Sequence, residues 1–563
     1  MNTVFFDTET SGLDTFMDKI TLMQINDGKK IRLVKSFNEP KISELKALLE
    51  SNLIVGHNLK FDLKFLHHQF NINPTKVFDT RIAELLISGG LKARLSGATT
   101  LETVALQYTG VQMNKDEAMR TSFRKDTVLS DAQREYASMD VAVLPFIYAQ
   151  QTEQIKTLGL ERVCAIEMNC IPATVWLEMS GLNIDTKGLD KMSDITESRI
   201  EQANTEVRLI LKQHGFNQSL DFGGLPVINL DSHIQLKTAL NEIGLNVPST
   251  GDEIISALDH PIGKALREYK KLNKLMSGFI LKFPEHIHRV TGRIQAEFNQ
   301  YGTNTGRFTS SKPNMQQVPK DKAMRALFRA CEGHSIVTAD YSQIELRIIA
   351  EVSQEPKFIE IYRNNGDLHS LTASLILNKD VKDVTKDERQ QAKAVNFGFA
   401  YGLGAKSFKE KAKKDYGLDI PIEKAQSIRN SFFESYPTLS DYLCHIAKQA
   451  SKDHYVRNIS GRIINLENGK EDWEYENMGK NFPIQSLSAD ITKTAMARLY
   501  HKLQPMGVRL INAVHDELVF ECISEKKDEV AKIVKEEMES AGKEYLTSIP
   551  CIVEVSVGEA WQK

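Results

Sequence analysis

The sequence predicts a multidomain protein of mixed α/β and α+β class, and three observations indicate this. The chain has 563 residues, several times a typical domain of roughly 150 residues, so several cores are expected. Residues 1–150 alternate short β-rich runs with helical segments, a pattern typical of an α/β unit. Strand candidates near residues 340 and 515 flank a long helical block, which predicts that they share one sheet with the helices inserted between them.

The other elements follow from the pattern along the chain. Residues 155–290 are mostly helical in pattern, interrupted by a polar stretch with Gly and Pro from His214 to Asp252. The candidate helices there are Ile195–Gln213 and Gly263–Phe279, and the candidate strands further on are Arg293–Phe298, Ser335–Ala339, Val508–Val514, Glu517–Glu521 and Pro550–Val557.

Composition excludes several classes of protein. Hydrophobic residues make up 41% and charged residues 26%, which excludes a disordered chain, a collagen-like fibre and a coiled-coil rod. The longest apolar runs are too short to span a membrane, and the β-rich run begins so early that we expect no signal or transit peptide. The net charge of −3 does not by itself favour a nucleic-acid binder, since such domains are often basic. No pair of the six cysteines is spaced as CxxC, which favours free thiols in a reducing compartment over a zinc site.

Four acids and a tyrosine in the N-terminal part are candidates for a metal-dependent site. Asp7 and Glu9 follow an apolar run, and on a strand their i, i+2 spacing places both carboxylates on one face. Asp62 follows another apolar run, and Tyr136 and Asp140 lie four apart on one face of a helical segment. Converging carboxylates suit Mg²⁺ or Mn²⁺, and two such ions can clamp the oxygens of a phosphodiester under hydrolysis. Alternatively, each acid is a solvated surface charge or a helix cap.

Two strand-end acids from distant segments predict a second metal site. Asp340 ends an apolar strand, and Asp516 lies at the tip of a tight turn between two β runs, followed by Glu517. Such a pair can hold two Mg²⁺ ions against a nucleoside triphosphate.

The segment between these acids carries cations and aromatic residues at helical spacing. At about 100° per residue, Arg389, Lys393 and Phe397 span only about 80° of a helix face. The two cations can grip adjacent phosphates, and the aromatic ring can stack on a base or sugar. Alternatively, the helix is simply amphipathic, with Phe397 and Tyr401 in a core and both cations in solvent.

By themselves, two more groups of basic residues are typical of solvated faces; the resemblance described below would make them DNA contacts. The first falls within roughly an 80° wedge of a helix. It consists of Lys264, Arg267, Lys271 and Lys274, and the second group consists of Lys406, Lys409, Lys411, Lys413 and Lys414.

These segments resemble the motifs of two known groups of enzymes. The order DTE, NxxFD and YxxxD resembles the tyrosine-bearing subclass of the DEDD-type 3′–5′ exonucleases. DYSQIELR, RxxxKxxxFGxxYG and VHDELxxE resemble motifs A, B and C of the family A DNA polymerases, the bacterial DNA polymerase I family with its Klenow-like members. Further blocks agree with that family, and together they cover nearly the whole chain. They are TGRFTSSKPNMQQVP at 305–319, DLHSLTAS at 367–374, NFPIQSLSAD at 481–490 and VEVSVGEAW at 553–561.

For the N-terminal part, the resemblance implies an RNase-H-like 3′–5′ exonuclease domain. Asp7, Glu9, Asp62 and Asp140 would be the ligands of two metal ions, and Tyr136 would orient the attacking water.

For the rest of the chain, the resemblance implies a right-hand polymerase fold of palm, fingers and thumb. Asp340 and Asp516 would bind two Mg²⁺ ions, replaceable by Mn²⁺, with Glu517 in support. Glu345 would be the steric gate against a 2′-hydroxyl, and Lys393 could serve as general acid to the leaving pyrophosphate. The implied nucleotide-binding residues are Gln343, Glu345, His369, Arg389, Lys393, Phe397 and Tyr401, and the implied DNA-binding residues are Arg307, Asn314, Gln316, Asn481, Gln485, His515, Lys271 and Lys274.

The resemblance also predicts the order of domains: exonuclease 1–150, thumb 151–290, first part of the palm 291–352, fingers 353–476, and second part of the palm 477–563. The implied partners are primer-template DNA and deoxynucleoside triphosphates. We expect a monomer in the cytoplasm of a bacterial or virus-infected bacterial cell, with no membrane contact, no thioredoxin-binding processivity loop and no 5′-nuclease domain. The chain departs from the family pattern at Asn477, where arginine is usual, at Ser486, where glycine is usual, and at Gln317, where asparagine is common.

Three other functions are alternatives to a DNA polymerase with an exonuclease: a pure nuclease, a single-subunit RNA polymerase, and a DNA-binding scaffold with inactive sites. Intact Asp340, Lys393 and Asp516 argue against the first and the third. Glu345 and the exonuclease motifs argue against RNA synthesis.

Overall fold

The computed structural model describes residues 2–113, 118, 122–123, 128–216 and 218–562. Its two larger sheets have five strands in the N-terminal part and four in the C-terminal part. Each sheet lies within its own hydrophobic core. The acids of both candidate sites lie on or beside these sheets, so the sheets position the chemistry.

The N-terminal unit is an α/β fold, as predicted. Its elements are β1 (Thr3–Thr10), β2 (Ile20–Asn26), β3 (Ile31–Val34), α1 (Glu39–Ser51), β4 (Leu53–Gly56), α2 (Lys60–Phe70), β5 (Val77–Asp79), α3 (Thr80–Ile87), α4 (Leu101–Thr109), α5 (Asp131–Ala142) and α6 (Leu144–Thr157). The strand order is β3-β2-β1-β4-β5. Central β1 pairs antiparallel with β2 and parallel with β4. Both faces of β1 are largely buried, which is typical of a sheet covered by helices on both sides.

A helical region follows, as predicted for residues 155–290. Its helices are α7 (Glu161–Ser180), α8 (Thr186–Gln213), α9 (His233–Glu242), α10 (Asp252–Ala257) and α11 (Pro261–Leu275), the last continued by a π-helical turn to Ile280. Helix α7 is apolar nearly all round because it serves two cores: Met168 packs in the N-terminal core and Trp176 in the C-terminal one. Helices α8 to α11 enclose a third core around Val207 and Leu266.

The C-terminal part is built on an antiparallel sheet of order β11-β12-β8-β13. Strands near residues 340 and 515 therefore share one sheet, which confirms the prediction. The strands are β6 (Glu297–Asn299), β7 (Thr309–Ser311), β8 (His334–Tyr341), β9 (Tyr455–Arg457), β10 (Ile463–Asn465), β11 (Arg509–Val514), β12 (Glu517–Ile523) and β13 (Val553–Gly558). The helices are α12 (Lys322–Arg325), α13 (Ile344–Ser353), α14 (Pro356–Arg363), α15 (Leu368–Leu377), α16 (Lys386–Phe399), α17 (Ala405–Tyr416), α18 (Ile422–Ser435), α19 (Pro437–Asp453), α20 (Asp472–Leu503) and α21 (Lys527–Lys543).

The strand expected at Arg293–Phe298 is wrong over most of its length, because the ladder begins only at Glu297. The Arg293 side chain instead donates from Nη2 to the carbonyl of Gly181 at 2.9 Å and pairs with Glu521 at 2.5 Å. Side-chain contacts and an isolated bridge from Ile294 therefore hold this stretch. No helix among the described residues combines the length and apolar character that crossing a membrane requires.

Candidate active sites

Three carboxylates from two elements converge beside the N-terminal sheet. Asp7 and Glu9 share a face of β1 because their spacing matches the strand period. Asp140 comes from α5, which Ser130 and Gln133 start with a reciprocal capping box. Carboxylate oxygens of Asp7, Glu9 and Asp140 all lie within 4.8 Å of one another. This separation is short enough for one divalent cation to be shared.

Asp62, the fourth predicted acid, is buried in the first turn of α2 and lines the same cavity. Its Oδ1 accepts a hydrogen bond from Thr8 Oγ1 at 2.6 Å. Burial raises the pKa of Asp62 to about 7; the charge of Asp79 adds to the rise and the bond from Thr8 opposes it. A nearby cation would favour the ionised carboxylate, so this acid is poised to respond to metal binding.

These acids line a cavity of about 840 Å³, called here the N-terminal cavity. Tyr136 also lines it, one turn before Asp140 on α5. His57 is another lining residue, but its ring is held at both nitrogens, by Thr80 Oγ1 at 2.8 Å and the Thr99 carbonyl at 2.9 Å.

The second acid pair lies at one end of the four-stranded sheet. Asp340 is near the end of β8, and Asp516 occupies the two-residue turn between β11 and β12. His515 makes this turn possible by adopting a φ of 58°. Burial and, to a smaller extent, the charge of Asp340 together raise the pKa of Asp516 to about 7. A cation between the two carboxylates would relieve that repulsion.

Glu517 is neutralised within the protein. It lies opposite Asp340 in the pairing of β12 with β8. Its carboxylate forms a buried ion pair with Arg325 at 3.3 Å and accepts a hydrogen bond from the Trp561 indole. Arg325 also lies over the Trp561 ring, 4.2 Å from its centroid. Glu517 thus holds the strand end in place beside the acid pair.

Glu345, in the first turn of α13, is held by two partners from other elements. Arg307 forms an ion pair with it, and the Tyr401 hydroxyl donates a hydrogen bond to it. Burial raises the pKa of Tyr401, and the charge of Glu345 raises it further. Tyr401 therefore stays a protonated donor, and the three side chains form one connected group.

Helix α16 carries the predicted cations and aromatic residue. It begins with a capping box between Thr385 and Glu388. Arg389 is exposed, whereas Lys393 and Phe397 are half-buried. The Arg389 guanidinium pairs with Asp367, 2.5 Å from Nε to Oδ2. The predicted helix is confirmed; of its two predicted cations, Arg389 is exposed and Lys393 is half-buried.

His369 lies beside this helix and is uncharged at neutral pH. Burial lowers its pKa to about 4. Asn396 donates from Nδ2 to His369 Nδ1 at 2.8 Å, because its amide oxygen accepts a bond from Thr372 Oγ1. The proton of the neutral imidazole is therefore on Nε2. Its ring lies 5.9 Å from that of Phe397, centroid to centroid.

The predicted DNA-contact residues lie on several elements. Gln316 donates to the carbonyl of Ala513 at 3.2 Å, close to His515, and Asn481 donates to the carbonyl of Asn477 at 2.8 Å. Asn314 caps a short 3₁₀ turn, and Gln485 is half-buried one turn after Asn481. Gln343, predicted to bind the nucleotide, accepts a hydrogen bond from the Tyr362 hydroxyl at 3.2 Å.

The two basic groups meet across a gap. Arg267, Lys271 and Lys274 of α11 line a cavity of about 630 Å³ together with Lys414 of α17. Lys414 Nζ also lies 3.4 Å from Glu253 Oε1. Three residues of the first group and Lys414 of the second thus line one cavity between the helical region and the block inserted in the second sheet.

Sequence patterns did not single out three residues that complete these sites: Arg81, Arg325 and Asp367. Asp367 carries a local signal, since an acid before a helical run is a typical N-cap. Arg81 and Arg325 carry none, because their partners are distant in sequence.

Comparisons with known proteins match both parts of the chain. Residues 187–563 match DNA polymerase family A, and residues 1–156 match the 3′–5′ exonuclease family. A DNA polymerase I of Aquifex aeolicus is 32% identical, over 100% of this chain and 96% of that protein. The thermostable DNA polymerase I of Thermus aquaticus is 34% identical, over 68% of this chain and 46% of that protein. The DNA polymerase I of Borreliella burgdorferi is 30% identical, over 99% of this chain and 62% of that protein.

The chain thus spans nearly the whole of one relative but only 46% and 62% of the other two. A solved structure of the polymerase domain of Pol1 from M. smegmatis, in complex with DNA primer-template and dNTP, has a TM-score of 0.84 at 23% identity. It covers 99% of this chain and 96% of that one, so the two proteins share one fold over their length.

Proposed function

Because this chain belongs to the family A DNA polymerases and carries a 3′–5′ exonuclease domain, we propose that it extends primer 3′ ends on a DNA template and removes mispaired ends, in DNA replication or repair. The observation that carries the proposal is the pair of separate acid clusters, one beside each sheet. Each belongs to the part of the chain that matches the corresponding family.

Both acid clusters are suited to bind the divalent cations that the two proposed reactions require. In the N-terminal cavity, oxygens of three carboxylates lie within 4.8 Å of one another, and in each cluster one buried acid has its pKa raised to about 7. Asp7, Glu9, Asp62 and Asp140 would hold two Mg²⁺ ions, or Mn²⁺, and so would Asp340 and Asp516. When bound, the ions supply electrostatic stabilisation of the charge that develops on the phosphoryl oxygens.

In the polymerase reaction, the primer 3′-oxygen attacks the α-phosphorus of the deoxynucleotide and pyrophosphate leaves. Arg389 and Lys393 bind the triphosphate, and Lys393 protonates the leaving group. His369, neutral and protonated on Nε2, offers a hydrogen-bond donor beside them. Phe397 packs on the incoming nucleotide, and Gln343 and Tyr401 complete its pocket.

Glu345 selects deoxynucleotides by occupying the space of a 2′-hydroxyl. The observation that supports this role is the group formed with Arg307 and Tyr401, since contacts on both sides prevent the side chain from swinging away. A side chain held in one position excludes a 2′-hydroxyl more effectively than a mobile side chain does.

In the exonuclease reaction, Tyr136 positions the water that attacks the terminal phosphodiester. Its place one turn before Asp140 supports this role. The primer-template lies along Arg307, Asn314, Gln316, Asn481, Gln485 and His515, with Lys271 and Lys274 on its phosphates.

We propose that the chain is divided into an exonuclease domain at 1–150, a thumb at 151–290, a palm at 291–352 and 477–563, and fingers at 353–476. Three of the relatives compared are bacterial enzymes named DNA polymerase I. We propose that this chain acts as a monomer in the cytoplasm of a bacterial or virus-infected bacterial cell.

The deciding experiment is extension of an end-labelled primer annealed to a long single-stranded template, with and without dNTPs, at several salt concentrations and temperatures. We expect longer products with dNTPs and Mg²⁺, and shortened primers without dNTPs. Shortening with no extension under any condition would favour a pure nuclease. Extension with ribonucleotides in preference to deoxynucleotides would favour an RNA polymerase.

A further inference from the structure

We propose that Arg81 binds a phosphate of the single-stranded 3′ end in the N-terminal cavity, an inference that rests on the proposed exonuclease activity. Arg81 is the second residue of α3, and its half-buried side chain lines the cavity that holds Asp7, Glu9 and Asp140. It is therefore a cation in the same cavity as the acids that would carry out the hydrolysis.

The backbone of Arg81 is fixed to the walls of the cavity. Asp79 caps α3 by accepting hydrogen bonds from the Arg81 and Ile82 amides, at 2.8 and 3.2 Å. The same carboxylate accepts bonds from the amides of Asn58 and Leu59, at 3.1 and 2.8 Å. One buried side chain thus ties the start of α3 to the segment that leads into α2. Such anchoring leaves only the side-chain torsions of Arg81 to be ordered when a ligand binds.

The guanidinium of Arg81 is available for a ligand. Its hydrogen bond from Nη1 to Asn58 Oδ1 is long, at 3.5 Å. Within the described part of the chain, no carboxylate lies in ion-pair range of it. Lys92, another cation of the cavity, differs: its Nζ lies 2.5 Å from buried Glu84 and 2.6 Å from Gln107 Oε1. Lys92 neutralises the charge of a buried carboxylate, whereas the guanidinium of Arg81 retains N–H donors that can bind a ligand.

The charge of the cavity gives Arg81 its role. A phosphodiester that enters beside three carboxylates is repelled until cations neutralise them. Metal ions at the acids would hold the scissile phosphate, but a strand also needs a contact that sets its register. The planar guanidinium presents paired donors that match two phosphate oxygens, which suits this purpose better than a lysine does.

The test compares Arg81→Gln with Arg134→Gln in the full chain. Arg134 is an exposed residue of α5 outside the cavity lining, so its variant removes the same charge from the same unit. With single-stranded oligonucleotides, we expect Arg81→Gln to raise KM for degradation about tenfold or more, with a smaller change in kcat. Losing one phosphate contact should also reduce the slope of log binding constant against log salt by about 0.7. Arg134→Gln should change neither quantity by a comparable amount.

A lysine variant separates charge from geometry. Arg81→Lys keeps the charge but not the paired donors, so it should recover part of the lost affinity. Primer extension by the same preparations reports whether the polymerase part is folded, and a retained kcat for degradation reports the same for the N-terminal unit, which has its own core.

Three results would overturn the proposal: an unchanged KM and salt slope in Arg81→Gln, equal losses in Arg134→Gln, or a loss that Arg81→Lys does not relieve at all. Failure of the exonuclease proposal itself looks different, because the unaltered chain would then degrade no 3′ end.

Discussion

Glu517 lies directly opposite Asp340 across two antiparallel strands, yet its carboxylate is paired with buried Arg325. The acid next to the proposed metal ligand thus has its own counter-charge. We therefore expect a structural role for Glu517 beside Asp340 and Asp516, the proposed metal ligands.

Replacing Glu517 by Gln should destabilise the polymerase part. The change leaves the Arg325 guanidinium buried with no counter-ion, which costs about 3 kcal/mol, or roughly 6 °C or more in melting temperature. Thermal unfolding monitored by tryptophan fluorescence would measure it, since Trp561 contacts both side chains. An unchanged melting temperature would contradict the structural role.

Asp516→Ala should abolish primer extension and leave 3′-end degradation intact. The change removes one of the two carboxylates proposed to hold the metal ions of the polymerase site, while the N-terminal cavity is untouched. Gel assays with and without dNTPs distinguish the two activities. Surviving extension would show that the metal ligands are assigned wrongly.

The reciprocal variant, Asp7→Ala with Glu9→Ala, should remove degradation and spare extension. These residues supply two of the three carboxylates that lie within 4.8 Å of one another. The same labelled primer serves as substrate, so this double variant and Asp516→Ala are controls for each other. Persistent degradation by the purified variant would refute the exonuclease assignment.

Glu345→Ala should relax sugar selection. Removing the side chain opens the space of a 2′-hydroxyl, and a change of this size in a pocket alters discrimination by about tenfold or more. Competing incorporation of a ribonucleotide and its deoxynucleotide measures the ratio. Tyr401→Phe is the matched variant: it loses only the hydrogen bond to Glu345 and should shift the ratio less. Equal ratios in Glu345→Ala and the unaltered chain would exclude the gate.

Thermal stabilisation by Mg²⁺ should grow as the pH rises through 7. The pKa of Asp516 is raised from 3.8 to about 7 in the folded chain, so without a cation the folded state binds more protons than the unfolded one between these values. Stability from this group is therefore present in acid and lost as the pH rises through 7. Mg²⁺ binds the ionised form and reverses the loss.

Asp62 contributes to that dependence in the same direction, since its pKa is also about 7. Melting curves recorded in Mg²⁺ and in chelator across a pH series give the increase in melting temperature that Mg²⁺ causes at each pH. The variant Asp516→Asn with Asp62→Asn should flatten the series. An equal increment at every pH in the unaltered chain would argue against these carboxylates as the binding groups.

Local pattern was sufficient for much of the fold. The apolar run before Asp340 and the two runs around Asp516 predicted strands that the structure confirms. The periodicity around Lys393 predicted α16. Strand prediction failed at Arg293, where distant partners, Gly181 and Glu521, replace the sheet ladder. A local pattern carries no information about such partners.

The sequence was sufficient to predict the two acid clusters, the helix between Asp340 and Asp516, and the family to which they point, because strand and helix periods set which side chains share a face. The contacts of each group, in contrast, follow only from the folded chain. Glu517 is neutralised by Arg325, Glu345 is held by Arg307 and Tyr401, and Arg81 is left with donors to spare. These pairings join residues far apart in the chain, and burial then sets their charges, so they exist only once the cores have formed.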